Sequence, residues 1–388
     1  MGIIERMNEI IDYIITWLCY GDSVAAKRVA YTSDENTLKT HDVIIVPNGF
    51  FGKSIVLPDM KKTIADNPAK GKYILRLDIV YNTFFFTSRA EELINTQRDN
   101  HGRFLAAYSI LGKGNRLQIP MLDEYARLLM KCLGLPLPAA EFDHIYLTHD
   151  IDTIAQYRHL RGAIGGLWRK EGKQVWNSLI DIHRDPLYTF PWVLEQDALI
   201  PNAKQIYFIK HTNGRGYDYP QYCLWGRDFR HLSKTLQAHG AQMGLHSSYY
   251  GIKPCRRNRF TMHRSHFLRC SIEQMANLTK AGITDDFTMA FADQAGFRMQ
   301  TTRAIYWIDP RTYTLTSLVL HPLMIMDNTL SQSNYMNLSE NEAYFLCERL
   351  ILKTKMHHGD LCLLWHNSIF TNDTYHRSLY PKILALLK

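Results

Sequence analysis

The run from Ile145 to Asp152 (IYLTHDID) constrains this chain more than any other, because an apolar, strand-like segment ends there on two carboxylates. Side chains two apart on a strand point the same way, so Asp150 and Asp152 face one space, about 6–7 Å apart by the strand rise. Two like charges held so close repel unless a cation or a strong donor lies between them, which makes a metal site the leading explanation. The pattern recurs. Ala241 to Leu245 runs into His246-Ser-Ser248, and Leu361 to Trp365 runs into His366-Asn367. Helix-like stretches separate such runs, among them Phe229 to His239 and Ser271 to Ala281, each followed by a glycine. Strands alternating with helices predict a parallel sheet or barrel, whose ligands gather at the carboxyl ends of the strands.

At 388 residues the chain is long for one domain, and two are expected. With 46% hydrophobic and 21% charged residues it has the composition of a globular protein, which excludes a disordered chain. Seven scattered cysteines, none in a CxxC pair, read as reduced thiols and not as a disulfide frame or zinc knuckle. The N-terminal isoleucines recur at helical spacing but are interrupted by Glu5, Arg6, Glu9 and Asp12, giving an amphipathic helix and not a signal peptide or membrane span. No uncharged run elsewhere reaches the roughly 18 residues of a transmembrane helix, so a cytoplasmic protein is expected. The net charge of +8 has one dense cluster, Lys253, Arg256, Arg257, Arg259, His263, Arg264 and Arg269, suited to an acidic or phosphate-linked carbohydrate or to solvent alone. No nucleic-acid motif accompanies it.

A Pro-containing linker, Gly134 to Ala140, divides the chain into residues 1–138, a smaller α/β domain, and residues 139–388. The front part has strand-like Val43 to Val46, Tyr73 to Val80 and Thr83 to Phe86, a helix start at Ser88 to Leu93, and a polar turn at Asp99 to Phe104. Its charged residues Arg89, Glu91, Glu92, Asp99, His101 and Arg103 read as a structural hydrogen-bonded network. The long connection before Gln205 to Ile209 carries a basic helix-like stretch near Arg158 to Lys173 and is expected to hold its own helices or a functional loop.

Four segments, Thr148 to Asp152, Gly244 to Tyr249, Gly296-Phe-Arg298 and Trp365-His-Asn367, resemble in order and spacing the polysaccharide deacetylase family, carbohydrate esterases with a NodB-like distorted (β/α) barrel. Phe84 to Glu92 and Asp99 to Phe104 resemble the uncharacterised domain that precedes a divergent bacterial branch of that family. The resemblance implies a metal-dependent hydrolase that removes an N-acetyl or O-acetyl group from a sugar of a cell-surface polysaccharide or its precursor. By the same resemblance Asp150 is the general base, Arg298 its orienting partner, His366 the general acid, and Asp152 and His246 hold a divalent metal, taken as Zn²⁺. The family's second histidine, four residues after His246, is here Tyr250, whose phenol is a poor zinc ligand at neutral pH. His263 or His266 could replace it, with His266 favoured; a weakly held or missing metal stays open. Trp365, Tyr249 and Arg264 are candidate substrate contacts.

Two other classes remain in play. A catalytically degenerate protein that binds carbohydrate in a glycan-assembly pathway would explain Tyr250. A glycosidase would pair Asp150 with Asp285 or Asp286 across a cleft, with carboxyls about 5–10 Å apart.

Overall fold

The computed structural model describes residues 2–49, 51–60, 65–212, 215–219, 222–252, 260–371 and 374–388. The cationic residues Lys253, Arg256, Arg257 and Arg259 lie outside these. Helix α1 (Ile3–Leu18) is the expected amphipathic helix, with Ile10, Ile14, Ile15 and Leu18 buried. A short α2 (Ser23–Ala26) leads to β1 (Val29–Tyr31) and β2 (Val43–Ile45), then β3 (Ala65–Ala69) and β4 (Lys72–Leu75). These four form one sheet in the order β1-β2-β4-β3.

Strand β4 stops at Leu75, and the stretch expected to be a strand at Thr83 to Phe86 lies instead in helix α3 (Ile79–Thr87). Asp78 decides this by capping: its carboxylate accepts from Tyr81 N at 2.8 Å. Every residue of α3 is buried, so its aromatic run suits a helix apolar on all sides, and Thr83 and Thr87 turn their hydroxyls onto the carbonyls of Ile79 and Thr83. Two further helices follow, α4 (Glu91–Ile94) and α5 (Met121–Cys132).

From residue 144 the chain builds a second sheet. Its strands are β5 (His144–Ile151), β6 (Lys204–Lys210), β7 (Gln242–Ser247), β8 (Met262–Ser265), β9 (Asp285–Met289), β10 (Ile305–Asp309), β11 (Thr314–Pro322), β12 (Ile325–Met326) and β13 (Asp360–Leu364). The connection from β5 to β6 holds α6 (Leu160–Trp168), α7 (Gly172–Ile180) and α8 (Phe190–Asp197). Beyond it come α9 (Arg227–Ala238), α10 (Ile272–Lys280), α11 (Asp327–Ser331), α12 (Glu340–Met356) and α13 (Thr374–Ala385). The nine strands run β10-β11-β9-β8-β7-β6-β5-β13-β12, all neighbours parallel except β10 with β11. Both faces are covered, which is why β5, β7 and β13 read as nearly unbroken apolar runs.

The sheet curls. His321 on β11 lies 3.6 Å from Asp360 on β13, although five strands separate them in the order, so the fold is a mixed α/β architecture with a distorted, half-closed barrel. Phe208, Phe287, Cys362, Leu364 and Tyr146 fill its interior.

The four-stranded sheet shares its core with the barrel. One apolar cluster runs from Ile10, Ile14 and Phe84 to Met275, Trp307 and Leu320. Gly296 explains its place in the motif here: at φ 142°, a Cβ on it would sit 2.4 Å from the carbonyl oxygen of Leu117, which accepts from Phe297 N. Polar groups tie the same seam, and Glu92 is its centre. Its carboxylate takes Arg89 Nε at 2.7 Å and Arg298 Nη2 at 2.8 Å, with Arg98 at 3.3 Å, all but Arg98 buried. Burial disfavours the Glu92 charge, but Arg89, Arg298 and Arg98 outweigh it and hold its carboxyl below the ordinary 4.5. A depressed folded pKa gives stability that is present above the unfolded value and lost as pH falls. Glu92→Gln should therefore lower the unfolding free energy at pH 7 by about 3–5 kcal/mol, since it strands two buried arginines. In urea titrations the difference from wild type should shrink below about pH 4.5; a difference independent of pH would contradict the assignment.

Candidate metal centre

The carboxyl ends of β5, β7, β8 and β13 meet at one mouth of the barrel around a cavity of about 220 Å³. Asp150 and Asp152, His246, His266 and His366 all line it. His246 Nε2 stands 3.5 Å from Asp152 Oδ1 and 3.7 Å from Asp150 Oδ2, and His266 Nε2 is 3.2 Å from Asp152 Oδ1. One donor atom each from Asp152, His246 and His266 lie within 4.8 Å of one another. His366 Nε2 is 4.0 Å from both carboxylates.

Hydrogen bonds at the far side of each ring fix which nitrogen faces the cavity. His246 Nδ1 lies 3.1 Å from the carbonyl of Arg264, so Nδ1 carries the proton and Nε2 presents a lone pair. His266 Nδ1 gives its proton to Asp218 Oδ1 at 3.1 Å, with the same result. Asp218 is itself held by Ser248 Oγ and Tyr249 N. Burial pushes the His246 imidazole below its ordinary 6.5, against the charges of Asp150 and Asp152, and keeps it neutral. Among the described residues His246 Nε2 and Asp152 Oδ1 have no hydrogen-bond partner. A lone pair and a carboxylate oxygen, both buried and aimed at each other, fit a divalent cation between them.

His366 differs. Its Nδ1 lies 2.9 Å from Asp327 Oδ1, and Asp327 also accepts from the His366 backbone N. Burial would lower its pKa, yet the charge and hydrogen bond of Asp327, with Asp150 and Asp152 behind, raise it to about 10. The ring is an imidazolium at neutral pH.

Several candidates stand elsewhere. Arg298 is not beside Asp150; it is drawn to Glu92 and to the carbonyl of Ala290. The guanidinium beside Asp150 is Arg264, at 3.4 Å, fully buried over the Phe208 ring and bonded to the carbonyl of Phe287. Arg264 is therefore shut off from any substrate. Trp365 is also fully buried, donating to His376, and offers no platform. Tyr249 gives its hydroxyl to the carbonyl of His101 and lies outside the cavity wall. Tyr250 is 62% exposed, and its position belongs to the loop beyond β7. His263 has both nitrogens engaged, by Asp286 and Ser247, which leaves His266 as the candidate third donor. Asp285 and Asp286 are likewise taken, by His321 and Thr284, and by His263 and Thr288, and neither lines the cavity.

Other residues complete the wall, among them Arg103, expected from the sequence to belong to a structural network. Arg103 comes from the front portion, paired with Asp99 and set over the Tyr335 ring. Phe267 and Leu268 follow His266 in left-handed backbone, φ 60° and 54°, at a turn held by Arg269 on the carbonyls of His101 and Tyr249. Asp327 had a signal: the apolar run to Met326 ends on it as β5 ends on its acids. A larger cleft of about 960 Å³, lined by Arg116, Arg127 and Leu128, has one carboxylate, Glu124, and no imidazole. Asp143, His144 and Asp360 also converge at the opposite end of β5 and β13, where Asp360 already accepts from His144.

The sequence model of a family of unknown function, DUF7033, matches residues 5–137. No curated protein matches the chain. A crystal structure from Mycobacterium smegmatis, provisionally described as a polysaccharide deacetylase, is similar at TM-score 0.41 and 12% identity, over 65% of this chain and 85% of that one.

The three-donor arrangement predicts graded losses of zinc affinity, measured by competition with a chromophoric chelator. Asp218→Asn should weaken binding about 10–100-fold, His266→Ala more than that, and Tyr250→Phe not at all. Unchanged affinity in His266→Ala would remove it from the ligand set.

Proposed function

We propose that the protein is a metal-dependent hydrolase that removes an acetyl group, from nitrogen or oxygen, of a sugar in a cell-surface polysaccharide or its precursor. The observation that carries this reading is the pair of orphaned buried atoms, His246 Nε2 and Asp152 Oδ1, with His266 Nε2 beside them. Asp152, His246 and His266 would hold the cation. When bound, a divalent metal such as Zn²⁺ lowers the pKa of water and polarises a carbonyl.

The remaining groups divide the proton work. Asp150, steadied by Arg264 and out of bulk solvent, takes the proton of the attacking water. His366, charged and braced by Asp327, gives a proton to the departing amine or alcohol. A carboxylate and an imidazole 4.0 Å apart, both lining the same cavity, suit a cleavage that needs a base and an acid. The cavity is smaller than a drug-sized site, which favours a single acetylated sugar group at its end. Residues 1–138 act as a cap on this mouth, represented there by Arg103.

A degenerate carbohydrate-binding protein drew its support from Tyr250; His266 Nε2, 3.2 Å from Asp152 Oδ1, supports the hydrolase reading instead. The test is acetate release from N-acetylated amino-sugar oligomers. Chelation should abolish it and added Zn²⁺ restore it. Asp150→Asn should stop turnover with metal still bound, and His366→Ala should lower kcat about 10²–10⁴-fold. Acetate release that survives complete metal removal would refute the proposal.

A further inference from the structure

Helices α6 and α7 are built inside out. Leu160, Ile164, Leu167 and Trp168 recur along one face of α6, a spacing that ordinarily marks a core-facing stripe, yet all four are exposed, Leu160 by 77% and Trp168 by 85%. On α7 the same holds for Trp176, Leu179 and Ile180, with Trp176 at 64%. The inward sides carry small residues and one valine, Val175. Gly166 is buried so closely that a Cβ would meet Val175 at 2.5 Å and the Tyr157 ring at 2.8 Å, and Ser178 is buried on α7. The chain thus spends its glycines on docking the hairpin and its indoles on solvent, the reverse of what folding alone selects.

Charge indicates what covers this face. Arg161, Arg169, Lys170 and Lys173 are exposed around it, against two half-buried carboxylates, Glu171, which is tied to Arg169 and Tyr157, and Asp181, which faces Arg184. Exposed tryptophan and leucine flanked by lysine and arginine suit the boundary between acyl chains and anionic headgroups. Among the described residues no helix is long and apolar enough to cross a membrane, so contact through this hairpin would be interfacial. The hairpin leaves the sheet from the strand end that bears Asp150 and Asp152, and α6 begins eight residues after Asp152.

We propose that the α6–α7 hairpin is an interfacial anchor that seats the mouth of the barrel against an anionic lipid surface. The inference is independent of the hydrolase reading, and its readout needs no turnover. The full chain is co-sedimented with vesicles of phosphatidylcholine alone and of phosphatidylcholine with phosphatidylglycerol. Wild type should bind the anionic vesicles, less as salt rises, with a blue shift of tryptophan emission. Trp168→Ser with Trp176→Ser should lose about tenfold or more of that affinity. Lys170→Gln with Lys173→Gln should lose about fivefold per charge on anionic vesicles only, and decides the matter alone should the tryptophan variant not fold. Absence of wild-type binding, or equal binding by wild type and both variants, overturns the proposal. So does wild-type self-association abolished by the tryptophan changes without vesicle binding, which would make the face a contact between copies.

Discussion

Placing several carboxylates out of water at one end of a parallel sheet is the constraint around which this structure is arranged. Each has a compensating partner from a distant strand or loop: Arg264 for Asp150, His266 for Asp218, His366 for Asp327. Asp152 is the exception, since the nitrogens facing its Oδ1 present lone pairs once their other sides are bonded to Arg264 O and Asp218. The imbalance is local and directional. Among the cavity's carboxylates and imidazoles, surrounding hydrogen bonds leave two buried atoms, His246 Nε2 and Asp152 Oδ1, unpartnered and facing one point, and such a point suits a cation.

How much of this could be read from the sequence depends on whether the cause was local. β5, β7 and β13 were visible because strands covered on both faces show as apolar runs, and a polar residue at the end of such a run has few places to go. His266 was favoured over His263 as a stand-in for Tyr250, and its Nε2 lies 3.2 Å from Asp152 Oδ1. The arginine partner of Asp150 was not reachable: Arg264 crosses the barrel interior from β8 to β5, while Arg298 is captured by Glu92 from the front of the chain. Nothing in the spacing of either arginine reports those distances. Thr83 to Phe86 misled for another reason, because residues that favour strands pack equally well in a helix buried on all sides once Asp78 starts it.

Burial direction was equally hidden. The stripe of Leu160, Ile164, Leu167 and Trp168 has one period whether it faces core or solvent, and only the glycines opposite show which. The front portion presents the same difficulty on a larger scale. Its charged residues split between a buried structural knot at Glu92 and a wall of the cavity at Arg103, two fates that composition cannot separate.

Arg103 has a consequence for divergence. The proposed metal donors and proton carriers all belong to the barrel, whereas this guanidinium lining the same cavity is supplied by a stretch of chain ahead of residue 138. Exchanging or drifting that stretch would redecorate the entrance and leave the reactive groups untouched. On the proposed hydrolase reading, selectivity can then change in lineages while the underlying chemistry is inherited intact.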